Sequence, residues 1–219
     1  MKAGLIFVFT LAIVVGLGGY LSGSEVALAH AGGSPDAVVR FRIQPSESKF
    51  VVTAFRGGLL YFKGHNHIIA IRDFEGEASL DLDSVDPASL QMSVNAASLE
   101  ETSDVFTPQQ KDIIKKELNE IVLETAKYPK IDFRSTMVRG GIKNGRIDVI
   151  IGGDMIMHGV TRHVDIPAAV TVEGDTLRAK GEFDLDRKKF NVNATTAAHG
   201  LVRVKHKLRF TFDIVAHRV

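Results

Sequence analysis

The chain has 219 residues, 45% of them hydrophobic, with 20 Gly and 6 Pro, which suits one globular domain whose core needs no disulfide staple. Its formal net charge of +1 gives no general electrostatic pull toward nucleic acid. Cys is absent, which excludes thiol catalysis, Cys-ligated zinc, iron–sulfur clusters and covalently attached c-type haem, and Trp is absent too.

Residues 1–31 read as a unit of their own. Lys2 is the only charge of a short n-region, and Ala3 to Leu21 is almost uninterrupted apolar sequence carrying Gly16, Gly18 and Gly19. Ala27-Leu28-Ala29 and Ala29-His30-Ala31 both fit an A-x-A cleavage rule, so this order predicts a secretory signal peptide. An uncleaved anchor is the rival, since a membrane span needs roughly 20 apolar residues. The helix-weakening glycines and the downstream small residues favour cleavage, and without Cys there is no lipoprotein anchor. Either way the domain is expected outside the cytoplasm, on the periplasmic or extracellular face of the envelope. Residues 32–37, opening Gly32-Gly33-Ser34-Pro35-Asp36, read as a linker to a domain at 38–219.

From Val38 onward the pattern alternates with period two, the signature of strands with one buried face. Phe74, Gly76, Ala78, Leu80 and Leu82 share one side of a strand, with Glu75, Glu77, Ser79 and Asp81 on the other. Leu90, Met92 and Val94 form a second stripe, and Val164, Ile166, Ala168, Val170 and Val172 a third. The last is Leu208, Phe210, Phe212 and Ile214, alternating with Arg209, Thr211 and Asp213. One-sided strands predict an antiparallel sheet. Turns fall at 83–87, at Asn144-Gly145 and at Gly174, separating about ten short strands. Closure into a barrel is expected, because long alternating strands otherwise leave edges exposed.

One segment departs from this pattern. Thr107-Pro108 offers an N-cap with Pro at the first helical position, and Ile113, Ile114, Leu118, Ile121 and Val122 recur at helical spacing. An amphipathic helix is predicted over about 108–126, stopped by Tyr128-Pro129 and packed on the barrel mouth or wall. An apolar stripe of this kind could also gate an apolar ligand or touch a membrane.

No G-x-S-x-G, P-loop, G-x-G-x-x-G or H-E-x-x-H is present. Gly152-Gly153 reads as a strand bulge or barrel corner. His65-Asn66-His67 places two imidazoles on one strand face, and His206 shares the parity of Val204 and Leu208. Imidazoles converging from separate strands would suit a transition metal or haem iron, which makes His65, His67 and His206 an alternative metal set. The competing reading is that the pair hydrogen-bonds locally at a barrel mouth. His158 is expected in a structural turn with Gly159 and Thr161.

Two further stretches carry a resemblance. The first is Tyr128-Pro129 before a strand ending Phe133-Arg134-Ser135-Thr136. The second is Gly153-Asp154-Met155-Ile156-Met157-His158-Gly159-Val160-Thr161. With Phe41 to Phe50, Asp73-Phe74-Glu75-Gly76 and Val94 to Leu99 in order, the chain resembles the YceI-like proteins over about residues 38–217. It departs from the family's pattern in its longer charged helix and in the paired histidines after Gly64.

The resemblance implies an all-β fold, an extended eight-stranded antiparallel lipocalin-like β-barrel with one amphipathic helix and a long apolar tunnel. It implies non-enzymatic binding or carriage of an isoprenoid or other long-chain apolar lipid in the bacterial cell envelope. No cofactor would be required, and contact with a membrane or envelope partner would be transient. Tunnel candidates are Phe50, Phe62, Phe74, Phe133, Ile156, Met157, Phe183, Phe210 and Phe212, with the methionines adaptable to a flexible chain. The alternative function is a His-based metal- or haem-binding redox accessory protein.

Overall fold

The computed structural model describes residues 38–219, Ala197 excepted. The expected signal peptide (1–31) and linker (32–37) lie outside the described residues.

Eleven strand segments form one antiparallel sheet. They are β1 (Val38–Ile43), β2 (Lys49–Gly57), β3 (His67–Ile71), β4 (Phe74–Asp81), β5 (Ala88–Asn95) and β6 (Leu99–Glu101), then β7 (Lys130–Lys143), β8 (Arg146–Met157), β9 (Val160–Glu173), β10 (Thr176–Asp186) and β11 (Arg203–Arg218). The order β1-β4-β5-β7-β8-β9-β10-β11 closes on itself where β1 pairs with β11, giving an eight-stranded barrel. Beyond this ring, β11 also pairs with β2, β2 with β3 and β3 with β6.

The three extra segments are continuations of ring strands past a break. β1 and β2 lie end to end along the same edge of β11, separated by the turn at Pro45–Glu47. Ser48 bridges this gap: its Oγ donates to Gln44 O at 2.7 Å and accepts from Val215 N at 3.0 Å. β3 runs on into β4, and β5 into β6 through a short 3₁₀ turn. There Asn95 N donates to Asp73 O at 3.0 Å and Asn95 Nδ2 to Asp73 Oδ2 at 2.9 Å. Side-chain and backbone bonds thus bridge both breaks in the ladder.

Alternation decides which residues face inward. On β8, Ile147, Val149, Met155 and Met157 are buried, while Asp148, Ile150, Asp154 and Ile156 are exposed. The outer face carries charged ladders, such as Asp184 between Lys207 and Arg209 at 2.8 and 3.0 Å. Gly181 lies under the Phe212 ring, where an added Cβ would come within 2.6 Å of it.

The helix α1 (Pro108–Glu117) starts at a capping box. Thr107 Oγ1 accepts from Gln110 N at 3.3 Å, and Gln110 Oε1 accepts from Thr107 N at 2.8 Å. It passes into a π turn, Leu118–Val122, and stops there, short of the residue 126 expected from sequence. The wider turn moves the inward face: Ile114, Leu118 and Val122 lie inward or half-buried, while Ile113 and Ile121 are exposed.

Candidate functional site

A cavity of about 240 Å³ is bounded by inward side chains from every ring strand and by Leu118, Val122 and Leu123 from the helix end. It exceeds the ~150 Å³ at which an apolar cavity stays dry and takes benzene. On β8 the lining runs from Ile147 to Met157. The polar exceptions along it are Ser79 and Ser89, which bond each other at 2.7 Å, Asp132, and Arg187.

Six of the nine tunnel candidates line this cavity: Phe50, Phe133, Met157, Phe183, Phe210 and Phe212. Phe183 and Phe210 stack at 4.8 Å, and Phe50 lies 6.1 Å from Phe210. Phe74 is buried in the layer behind, edge-on to Phe50 at 5.9 Å. Two candidates lie elsewhere. Ile156 points outward and is 44% exposed, because its neighbours Met155 and Met157 occupy the inner face. Phe62 sits in a 3₁₀ turn at a hairpin tip and is 60% exposed.

The histidines do not converge. His206 falls at a register shift of β11 between Val204 and Leu208, which turns it outward to solvent and removes the parity that sequence alternation suggested. His65 is exposed and edge-on to Phe106. His67 stacks on Phe106 at 5.1 Å and its Nδ1 lies 2.8 Å from Glu101 Oε2. Among the described residues no three His, Cys, Asp or Glu side chains gather as a metal site, so this donor set does not fit one. His158 sits in the β8–β9 turn at φ 52°, with Nε2 2.7 Å from Glu124 Oε2 and the Tyr128 ring tilted against it at 4.4 Å between centroids. An added Cβ at Gly159 would press on that Tyr128 ring at 2.8 Å. The Tyr-Pro and His-Gly motifs are thus two halves of one clamp that holds the helix exit against the barrel.

Two buried charges went unread in the sequence. Glu101 accepts from Ile68 N at 3.1 Å and Ser103 N at 2.8 Å besides its contact with His67. Burial pushes its pKa up, but these hydrogen bonds outweigh that and hold the carboxyl below its ordinary value of 4.5. A depressed carboxyl contributes stability that is present above the unfolded-state range and lost as pH falls through the folded-state value. Glu101→Gln is expected to cost about 2 kcal/mol near neutrality. That difference should close as the pH drops below the usual carboxylate range. Urea melts of both proteins across pH check this, and a difference that does not vary with pH would contradict it.

The second is Arg187, 8% exposed, at the cavity's helix end. It donates from Nη1 to Val192 O at 2.7 Å, from Nη2 to Val204 O at 3.2 Å and from Nε to Lys205 O at 3.3 Å. Burial lowers its pKa, partly offset by nearby Asp186, yet a guanidinium stays charged. The available signal was parity: Arg187 follows Phe183 and Leu185 on the inward face, and Glu101 follows Leu99.

Known proteins share this fold. A family model described as a YceI-like domain matches residues 41–216. BcnA from Burkholderia cenocepacia superposes with a TM-score of 0.62 at 18% identity, over 79% of this chain and 98% of that one. A polyisoprenoid binding domain from Saccharophagus degradans, implicated in plant cell wall breakdown, gives 0.59 at 10% identity, over 83% and 99%. The Campylobacter jejuni YceI protein gives 0.54 at 14% identity, over 68% and 83%. No curated protein matches this chain in sequence. The fold is that of a lipocalin-like barrel, and with a family model spanning nearly all of it, the chain belongs to the YceI-like family.

Proposed function

We propose that the protein binds or carries a long apolar lipid of isoprenoid type in the bacterial cell envelope, as a binding protein and not an enzyme. The observation that carries this reading is the almost wholly apolar cavity inside the barrel. A polyisoprenoid is hydrocarbon throughout and asks for contact area rather than directed polar groups. The binding named for the Saccharophagus degradans domain supports the same ligand class. The two ionisable groups on the wall make no ion pair with each other, and Arg187 is committed to three carbonyls. Export follows from the n-region, apolar run and A-x-A order. The N-terminal sequence of the protein recovered from the envelope should begin at His30 or Gly32, and retention of Met1 would make the segment an anchor.

Burial of hydrocarbon contributes about 0.8 kcal/mol per CH₂ before ordering costs. Stripped protein refilled with isoprenoid alcohols of increasing length should therefore bind each added unit at least about tenfold tighter, until the channel is full. A plateau beyond that length marks the channel's end. Equal affinity for the shortest and longest alcohols would reject a channel for a chain.

A further inference from the structure

One end of the barrel differs in character from the other. At the end that carries the helix, the β2–β3 hairpin presents Leu59, Tyr61 and Phe62 at 77, 54 and 60% exposure. Leu201, 41% exposed, joins them from the segment before β11. The tip is built to hold these side chains out. Leu60 N donates to Leu201 O at 2.9 Å, Arg56 Nη1 donates to Gly64 O at 3.0 Å, and Arg56 stacks 6.0 Å from the Tyr61 ring. Gly58 at φ +89° lets the hairpin backbone lie directly on Leu201 O, where any Cβ would collide.

Charge is concentrated at the same place. Residues 55–67 and 187–207 contain eight Lys or Arg and no Asp or Glu, so the chain's net +1 divides into +8 in these two segments and −7 elsewhere. The cations Lys63, Lys188, Lys189, Arg203 and Lys205 of these segments are exposed, and Arg203 and Lys205 lie against the β2 end of the hairpin at Gly57. The turns of the opposite end carry Asp83, Asp86, Glu173 and Asp175 against Lys143 and Arg146, which flank Asn144 and Gly145. Val204, Val192 and Arg187 place the cavity's end beside the basic, apolar tip.

We propose that this tip docks the barrel mouth onto an anionic lipid bilayer. Leu59, Tyr61, Phe62 and Leu201 enter the interface, and the ring of Lys and Arg meets the lipid phosphates. An exposed apolar patch with exposed cations on the same segments, beside an apolar cavity, is complementary to a negatively charged membrane surface. Acidic turns at the far end fix the orientation. Docking explains how a chain too apolar for water could pass between bilayer and channel; in that purpose it rests on the carrier reading, though the docking itself does not.

The test is flotation of the envelope-purified protein with vesicles of phosphatidylcholine, with and without phosphatidylglycerol, at low and high salt. Binding is expected to the anionic vesicles and to fall with salt. Lys63→Ser should weaken it about fivefold, and the pair Leu59→Ser, Phe62→Ser more than about tenfold. Phe62→Trp gives a single Trp in a chain that has none, and its emission should shift to the blue on anionic vesicles. The proposal is overturned if wild type ignores anionic vesicles, if the double variant floats as wild type does, or if the tip instead buries itself against a second copy of the chain. Circular dichroism confirms that the variants fold. Lipid extracted from the same samples separates the two ideas, since a variant that has lost docking should still hold a pre-loaded chain.

Discussion

Arg187→Ala is expected to destabilise the barrel by about 3–5 kcal/mol, since one buried and two part-buried acceptors lose their donor at once and the buried side chain leaves a cavity. The guanidinium serves Val192 O, Val204 O and Lys205 O, and so ties the 191–205 segment to the end of β10. Arg187→Lys should recover only part of this. An ammonium is a point donor and cannot span three carbonyls as a planar fork does. Limited proteolysis supplies a local readout, with new cleavage between Asn191 and Arg203 preceding global unfolding. Urea melts that show a loss under about 1 kcal/mol would mean that the carbonyls find other donors.

The second large effect is on binding. Ala179 faces inward on β10 and lines the cavity. In a solid core, Ala179→Leu would overpack and cost about 1–3 kcal/mol. In a hollow channel the added carbons fill empty space, at about 0.8 kcal/mol gained per CH₂. We expect unchanged or higher stability together with at least tenfold weaker binding of a long isoprenoid. Phe210 is a poorer probe despite its place on the wall. It is packed between Phe183 and Phe50, so truncation should cost about 3–5 kcal/mol and entangle binding with unfolding. Loss of stability in Ala179→Leu with binding intact would show that the void is not the ligand site.

The barrel was legible from alternation because the long strands are regular. Parity on β10 and β11 puts Phe183, Phe210 and Phe212 on the inner wall without further information. Parity failed where the backbone leaves the ladder. The register shift in β11 turns His206 out, the 3₁₀ turn at 61–63 puts Phe62 on a tip, and the π turn at 118–122 shortens the helix. None of these irregularities has a residue-level signature as plain as Asn144-Gly145, whose positive φ angles of 52° and 73° match a tight hairpin. Ile156 and Met157 are adjacent, so regular alternation admits only one of them to the interior.

Some of the residues that carry the family resemblance mark strand breaks and the Tyr128–His158 clamp, while Phe50, Phe133 and Met157 from the same stretches line the cavity as ordinary apolar residues. They identify the fold and say little about the ligand. The wall itself is written in ordinary Ile, Val, Leu, Met and Phe, and the same letters would spell a filled core. Whether such a barrel is hollow depends on the summed volume of its side chains against the ring's diameter, which only the closed structure reveals.

The central claim is that the channel holds a long apolar chain, and the mass of the intact protein under native conditions tests it most directly. Protein recovered from its own envelope without organic solvent should show a population heavier than the polypeptide by one hydrocarbon-rich molecule. Mild activation in the gas phase should release that molecule, and Ala179→Leu should lose it. A wild-type mass equal to the polypeptide alone, unchanged after exposure to isoprenoid alcohols, would contradict the account.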